Sequence, residues 1–530
     1  MTDRETGSES TTLATRARRR LRSFDPMHLA FLALLAIPGY VFEPLAALQF
    51  FEVFFLVFLW PFVAPLVDRV VRRGADEARE EPTDWIRMGT WREYAVWLVM
   101  IPVTFCNPFV VAQDLLQWLG VPVAFVRHRG SFPDAESYDQ RVSYRLPFDG
   151  AWTVVNGSHE QEYSHSWFPV TQRYAYDFVV TDADGRTSPA DAGFDVGSYY
   201  CYEEPVLAPA DGVVVDVLDS DVEASRGGGF SHPLKRDIRG NYVVIQHAAD
   251  EYSCLAHLVP GSLTVEPGER VARGREIARC GHSGNSSEPH LHFQLQDHPD
   301  FAIAAGLPIA FDDVAVEWPG ATASIGDPRS DTIESASDRD SEAEAGGGPL
   351  ADGTYRARSH ITAGQRVAHV DGDGDDSRRN RSDVASETVD ETETRPRDGR
   401  RAGTAALQRF GFGTCVGGVT AFFASIFVSW VPIAVLLGGG AAIGAAARTG
   451  SAILGGGERG HGSMGTVVGI GTVAAVVAWY GHTAPALGVG LQPLGAVIFF
   501  VGFLCYVALG EYDRLQLSRS FPDRTGVRPL

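Results

Sequence analysis

The sequence predicts a mainly antiparallel β domain flanked by α-helical transmembrane segments, and three observations carry that prediction. Apolar runs nearly free of charge gather before residue 120 and again after residue 405, as membrane spans require. From about 140 to 327 the pattern changes to short runs in which Val, Ile and Tyr alternate with polar residues, broken at Gly212, Gly240, Gly268, Gly274 and Gly281. Between that region and the second apolar group, residues 328–405 are dense in Asp, Glu, Ser, Gly and Arg. Such a segment buries too little apolar surface to offset chain entropy and is expected to be a disordered acidic linker.

Residues 1–25 form a polar tail ending in Arg16, Arg18, Arg19, Arg20 and Arg22. The region 26–120 is expected to hold about three spans. Two of them, near 27–42 and 45–66, read as a hairpin broken at Pro38, Gly39 and Pro44, with Glu52 at an interface. The third runs from Tyr94 to about Ala112, where Trp91, Tyr94 and Trp97 suit the membrane surface. A loop carrying Arg69, Arg72, Arg73 and Arg79 precedes it. The arginine excess puts tail and loop on the cytoplasmic side, so three spans deliver residues 140–327 to the outside.

Beyond the linker, region 406–510 is expected to hold about three more spans, near 411–437, 464–481 and 486–509. They are rich in Gly and Ala, which let membrane helices approach closely. The segment 511–530, with Arg514, Arg519, Arg524 and Arg528, then returns to the cytoplasm. The stretch 411–447 also has room for a second short span, which would change that count. The expected location is a cell membrane crossed several times, with the lipid bilayer as a partner and the β domain extracytoplasmic. Few ionisable residues beyond Glu52 lie in the spans, so they read as anchors rather than as a transport path.

The chain of 530 residues carries 45 basic against 66 acidic side chains, a net charge of −21. One lysine, Lys235, leaves 44 arginines among the basic residues. That balance fits a salty, halophilic setting in which repulsion between carboxylates is screened. It excludes a nucleic-acid binder, which needs a basic face. Six cysteines without CxxC spacing make no disulfide framework; Cys106, Cys415 and Cys505 fall in apolar runs, and Cys201, Cys254 and Cys280 in the middle domain. The first three read as buried thiols; the middle three read as free buried thiols too, with a bridge among them open if the domain is extracytoplasmic.

Chemistry concentrates at His290-Leu291-His292-Phe293. With a strand period of two, His290, His292 and Gln294 share one face while Leu291, Phe293 and Leu295 point to a core. Two imidazoles with parallel aim can bind one metal or divide their work between metal and substrate. Asp211 and Gly212 suit a turn, and His282 lies in a Gly-rich polar loop.

The order PVLAPADGVVV, GNYVVIQH, Leu255-Ala256-His257-Leu258 and VEPGERVARGREIARCGHSGNSSEPHLHF resembles the core of lysostaphin-type (LytM, or β-lytic) zinc metalloendopeptidases, over about 172–296. The resemblance implies a LytM-type β-sheet core of the duplicated-hybrid-motif kind and one zinc ion. It assigns Asp177 and His292 to the zinc, and His257 and His290 to places beside the attacking water and the scissile carbonyl. His247 also has a family counterpart and is expected to be structural. Relative to the family, insertions at about 183–200 and 221–239 border the groove.

One departure matters. The family begins its ligand motif with His, whereas this chain has Arg173, which offers no lone pair to a metal. His165 and His159 lie just upstream, and similarity to sequences that pair an upstream His with a QRYA-type motif favours His165 as the third ligand. Arg173 is then expected to pair with a carboxylate such as Asp177 or to bind substrate. The resemblance implies an outward-facing, membrane-anchored zinc endopeptidase acting on cell-envelope peptide or glycoprotein. The alternative is a degenerate LytM domain that has lost its metal and serves as a binding or adaptor module.

Overall fold

The computed structural model describes residues 29, 32–33, 35–36, 38–39, 43–59, 82–88, 91–164, 166–319, 350, 353–370, 399–427, 460–483 and 491–525. It divides into two units, 1–80 and 81–530. In the first, a 3-10 stretch Glu43–Leu59 occupies part of the second apolar run. The run at 27–42 lies largely outside the described residues, as do 1–25.

In the second unit the strands are β1 (Ala151–Asn156), β2 (Tyr176–Val179), β3 (Pro205–Leu207), β4 (Gly212–Leu218), β5 (Asn241–Ala248), β6 (Glu251–Leu258), β7 (Arg270–Val271), β8 (Glu276–Arg279), β9 (Leu291–Gln296), β10 (Gly306–Leu307), β11 (Phe311–Glu317), β12 (Thr354–Ser359) and β13 (Arg366–His369). One sheet runs in the order β12-β11-β13-β1-β2-β9-β6-β5-β4-β7, with β10 added beside β9, and β3 pairs β8 separately. Each of these pairings is antiparallel. The mainly antiparallel β domain is therefore present. Leu291, Phe293 and Leu295 are fully buried in its main core, as their alternation with the histidines requires.

The sheet extends past its expected limit at 327. Strands β12 and β13 arise from the stretch 328–405, and Ile361, Ala363 and Val367 pack into the core. That linker is thus not disordered throughout. TYRARSH and QRVAH each alternate well enough to form a strand, β12 at the edge and β13 between β11 and β1, which the average composition of the stretch conceals. Residues 320–349 and 371–398 lie outside the described residues.

The expected third span is not a single helix. The run Tyr94–Ala112 is divided between α1 (Trp91–Phe105) and α2 (Pro108–Arg127). Asn107 separates them, its side chain accepting from the Phe109 and Val110 amides at 3.0 and 3.5 Å, with Pro108 opening the new helix. Helix α2 is long and apolar enough to cross a membrane, yet half of it is buried within the protein. It lies along the β domain from end to end. The Asn107 amide donates to the Pro233 and Lys235 carbonyls, Gln113 exchanges bonds with Arg236 and Ile238, Gln117 accepts from Thr171 and Gln172, and Arg127 binds Asp297 and the Ile303 carbonyl. These contacts hold α2 against the β domain.

The last apolar region gives α3 (Gly399–Phe427), α4 (Gly460–Thr483) and α5 (Leu491–Thr525). Glycines set their contacts. Gly418 meets Gly495 and Phe499, and Gly411 meets Gly502 and Tyr506, so α3 and α5 are antiparallel. Gly465 meets Ala406, Gly469 meets Phe410 and Gly417 meets Val473, so α3 and α4 are parallel. One end of this bundle abuts the sheet: Gln408 and Tyr506 bind Asp300, Arg409 binds Asp216, and Arg514 binds Asp250. The expectation that 511–530 lies across a membrane from the β domain therefore fails, because the final turns of α5 rest on that domain.

Candidate active site

Register assembles the site. Asp177 of β2 stands directly across from His292 of β9, and His292 stands across from Ala256 of β6, the residue before His257. His290 precedes β9 by one residue. The His257 ring centroid lies 4.6 Å from that of His290 and 5.7 Å from that of His292. Asp177 Oδ1 lies 2.8 Å from His292 Nδ1 and 3.7 Å from His290 Nε2. Four residues singled out in the sequence thus converge on one spot of the sheet face opposite the core.

Backbone carbonyls orient two of the rings. His257 Nδ1 donates to the Ser283 carbonyl and His290 Nδ1 to the Glu288 carbonyl, each at 2.8 Å. In each neutral ring the lone pair then belongs to Nε2. His257 adopts φ +62°, a left-handed conformation uncommon for a side-chain-bearing residue and of the kind that collects at functional sites. Gly240, at φ +64°, lets its backbone touch Ser283 and Gly284; a Cβ there would displace the carbonyl that holds His257.

The third ring is fixed by an amide. Gln294 Nε2 donates to the Thr171 carbonyl at 3.0 Å and to Gln296 Oε1 at 2.6 Å, which turns Gln294 Oε1 towards His292 Nε2 at 3.2 Å. That oxygen can only accept, so His292 Nε2 carries a proton, and the neutral ring presents the Nδ1 lone pair to the Asp177 carboxylate. Two acceptors facing each other require a cation between them, either a proton or a metal. Asn156 Nδ2 donates to Asp177 Oδ2 at 3.0 Å and holds the carboxylate in place.

Electrostatics agree with this arrangement. Burial opposes a charged His292, but the Asp177 carboxylate and then Gln294 outweigh it and raise its pKa. Burial and repulsion from His290 and His292 hold His257 well below the usual imidazole range, so this ring is neutral.

A carboxylate oxygen and an imidazole nitrogen aimed at one another fit two positions of a zinc site. Among the described residues no set of three or more His, Cys, Asp or Glu side chains is gathered as a complete metal site. His165 lies outside the described residues. His159 is placed elsewhere, stacked on His360 with ring centroids 4.7 Å apart. The Arg173 guanidinium sits over the rings of Trp167 and Phe132, at 5.0 and 5.5 Å from their centroids.

His247 and His282 are structural. His247 bonds the Asp211 carbonyl and Ser253 Oγ, and burial lowers its pKa to about 4. His282 is fully buried, not a groove residue; it bonds the Arg226 and Phe230 carbonyls and Ser286, tying the 221–239 insertion to the loop before His290. Gln294, Asn156 and the Ser283 and Glu288 carbonyls were not assigned from sequence. Only Gln294 had a signal, its period-two spacing from His290 and His292.

Comparison with known proteins places this geometry. The profile of peptidase family M23 matches residues 192–302. Peptidoglycan DD-endopeptidase ShyA of Vibrio cholerae serotype O1 is 28% identical over 190 residues, 35% of either chain. Peptidoglycan DD-endopeptidase ShyB of the same organism is 30% identical over 190 residues, 35% of this chain and 36% of its own. The chain thus spans about a third of the length of these curated relatives. Among solved structures, a zinc-containing peptidase from Vibrio cholerae shares 27% identity over 32% of this chain and 41% of its own, at a TM-score of 0.20. The catalytic domain of lysostaphin from Staphylococcus simulans shares 18% identity over 32% and 90%, at 0.17. The chain carries a LytM-type domain.

Proposed function

We propose that the LytM-type domain is a zinc metalloendopeptidase anchored to a membrane through α3, α4 and α5. The observation that carries this reading is the acceptor pair formed by Asp177 Oδ1 and His292 Nδ1, which Gln294 and Asn156 hold face to face. Asp177, His292 and His165 would hold the metal, and zinc bound there supplies a Lewis acid that makes water nucleophilic near neutral pH. His290, with Nδ1 tied to the Glu288 carbonyl, presents Nε2 to take a proton from the attacking water and return it to the leaving amine. His257, neutral and tied through Nδ1 to Ser283, stands beside it and orients the scissile group. The names of the curated relatives make peptidoglycan peptides the first substrates to assay. Arg173, stacked on two aromatic rings beside the first strand of the site, is proposed as a substrate contact.

The adaptor reading is kept by one observation, the arginine at the place of the family's first ligand. Zinc content separates the two. The full chain, purified in detergent and high salt, is expected to hold about one zinc, lost in His165→Ala and in Asp177→Asn. A folded wild-type chain without zinc would leave the adaptor reading standing.

A further inference from the structure

We infer that the β domain stands on the cytoplasmic face of the bilayer that α3, α4 and α5 cross. The inference rests on the membrane reading of those helices, not on peptidase activity.

The first line of argument is the path of the chain into the domain. Segment 82–88 follows directly on Arg69, Arg72, Arg73 and Arg79 and is already packed on the β domain. The Arg87 amide donates to the Gly185 carbonyl at 2.8 Å, and Trp85 Nε1 to the Gly364 carbonyl at 2.9 Å. Gly229 of the domain meets the backbone of Glu93 and Trp97 near the start of α1, and Asn107 beyond its end binds Pro233 and Lys235. Both ends of α1 thus touch one loop, and α2 lies along the domain. No crossing separates the domain from segment 82–88.

The bundle gives an independent second line. Helix α3 leaves the sheet end at Gln408 and Arg409 and finishes remote from it, α4 begins again at the sheet end beside Ala406, and α5 starts remote and returns to place Tyr506, Glu511, Arg514 and Leu517 on the domain. The short connection from α4 to α5, which joins their remote ends, spans 484–490, where the sequence has no Lys or Arg. Arg400, Arg401, Arg409, Arg514, Arg519 and Arg524 belong to the sheet end. Basic residues mark the cytoplasmic side, so the sheet end is cytoplasmic. Exposed Val468, Trp479, Val497, Phe500, Val501 and Leu504 on the helices suit the lipid between the two ends.

The test uses full-length chain in intact cells. One protease-cleavable tag is inserted at residue 340 and a second after Val527, and a reporter cysteine is placed at Gly488 in a background in which the exposed Cys106 and half-buried Cys505 are serine, leaving four buried native cysteines. Both tags are expected to resist external protease until lysis, while Gly488→Cys is labelled by a membrane-impermeant maleimide from outside. Cleavage of either tag in intact cells would overturn the inference. Recovery of the protein in the soluble fraction would instead overturn the membrane reading, and zinc content would be unaffected by either result.

Discussion

Gln294 decides which nitrogen of His292 faces Asp177, because its own amide is committed to Thr171 and Gln296. Replacing it with leucine removes the acceptor that fixes the ring. Gln294→Leu is expected to weaken zinc binding by about 10- to 100-fold while the fold is retained, as read by competition with a chelating dye and by near-UV circular dichroism. Glu288 offers a pH test in the same loop. Burial and the nearby Glu93 raise its pKa from 4.5 to about 8, so the folded chain keeps a proton that the unfolded chain has lost between those values. Stability contributed by this group therefore falls as pH rises from 4.5 to 8, by roughly 4–5 kcal/mol at full ionisation. Glu288→Gln should match the parent near pH 5 and exceed it by a few kcal/mol at pH 8.5 in denaturant titrations. His282 acts in the opposite sense: burial lowers its pKa to about 4, so stability falls as pH drops from 6.5 towards 4.

At the scale of elements, β12 and β13 close the sheet beside β11 and β1, and Ile361 is fully buried between them. An Ile361→Asp change puts a charge into that core and is expected to cost several kcal/mol, or to abolish soluble expression. A fragment ending at 327 should fail in the same way, while the chain through 370 folds; limited proteolysis distinguishes them. These strands are hard to see in the sequence because each has only four to six residues, and β12, at the edge, is largely exposed. The Asp177 and His292 pairing, by contrast, is implied by the resemblance to the LytM-type family, and in the register of β2 on β9 the two residues stand opposite one another.

At the scale of the whole molecule, the helices and the sheet are one structure. The face that carries His292 also carries Tyr252, Cys254 and Ala256, which pack with Val110 of α2, Leu517 of α5 and Phe301. Arg127 ties the two helices to the domain, at 2.7 Å from Asp297 and 2.6 Å from Glu511. Arg127→Ala leaves the buried Asp297 with His128 and the Ala305 amide but no arginine, and is expected to cost about 3–5 kcal/mol, seen as a lower thermal midpoint and earlier proteolysis after α5. A free β domain would expose this apolar face to water, which is why the zinc measurement calls for the full chain.

The sequence by itself determined the antiparallel domain, its inward-facing Leu291, Phe293 and Leu295, and the gathering of Asp177, His257, His290 and His292. The first two follow from local alternation, which survives translation into a strand without knowledge of neighbours, and the third is what resemblance to the LytM-type family implies. Tertiary structure alone decided that the third apolar run is two helices lying on the domain and that the last helix returns to it. Hydropathy measures how apolar a segment is and not what covers it, so a helix buried on a sheet and a helix buried in lipid read alike until Asn107, Gln113, Gln117 and Arg127 are seen holding the domain.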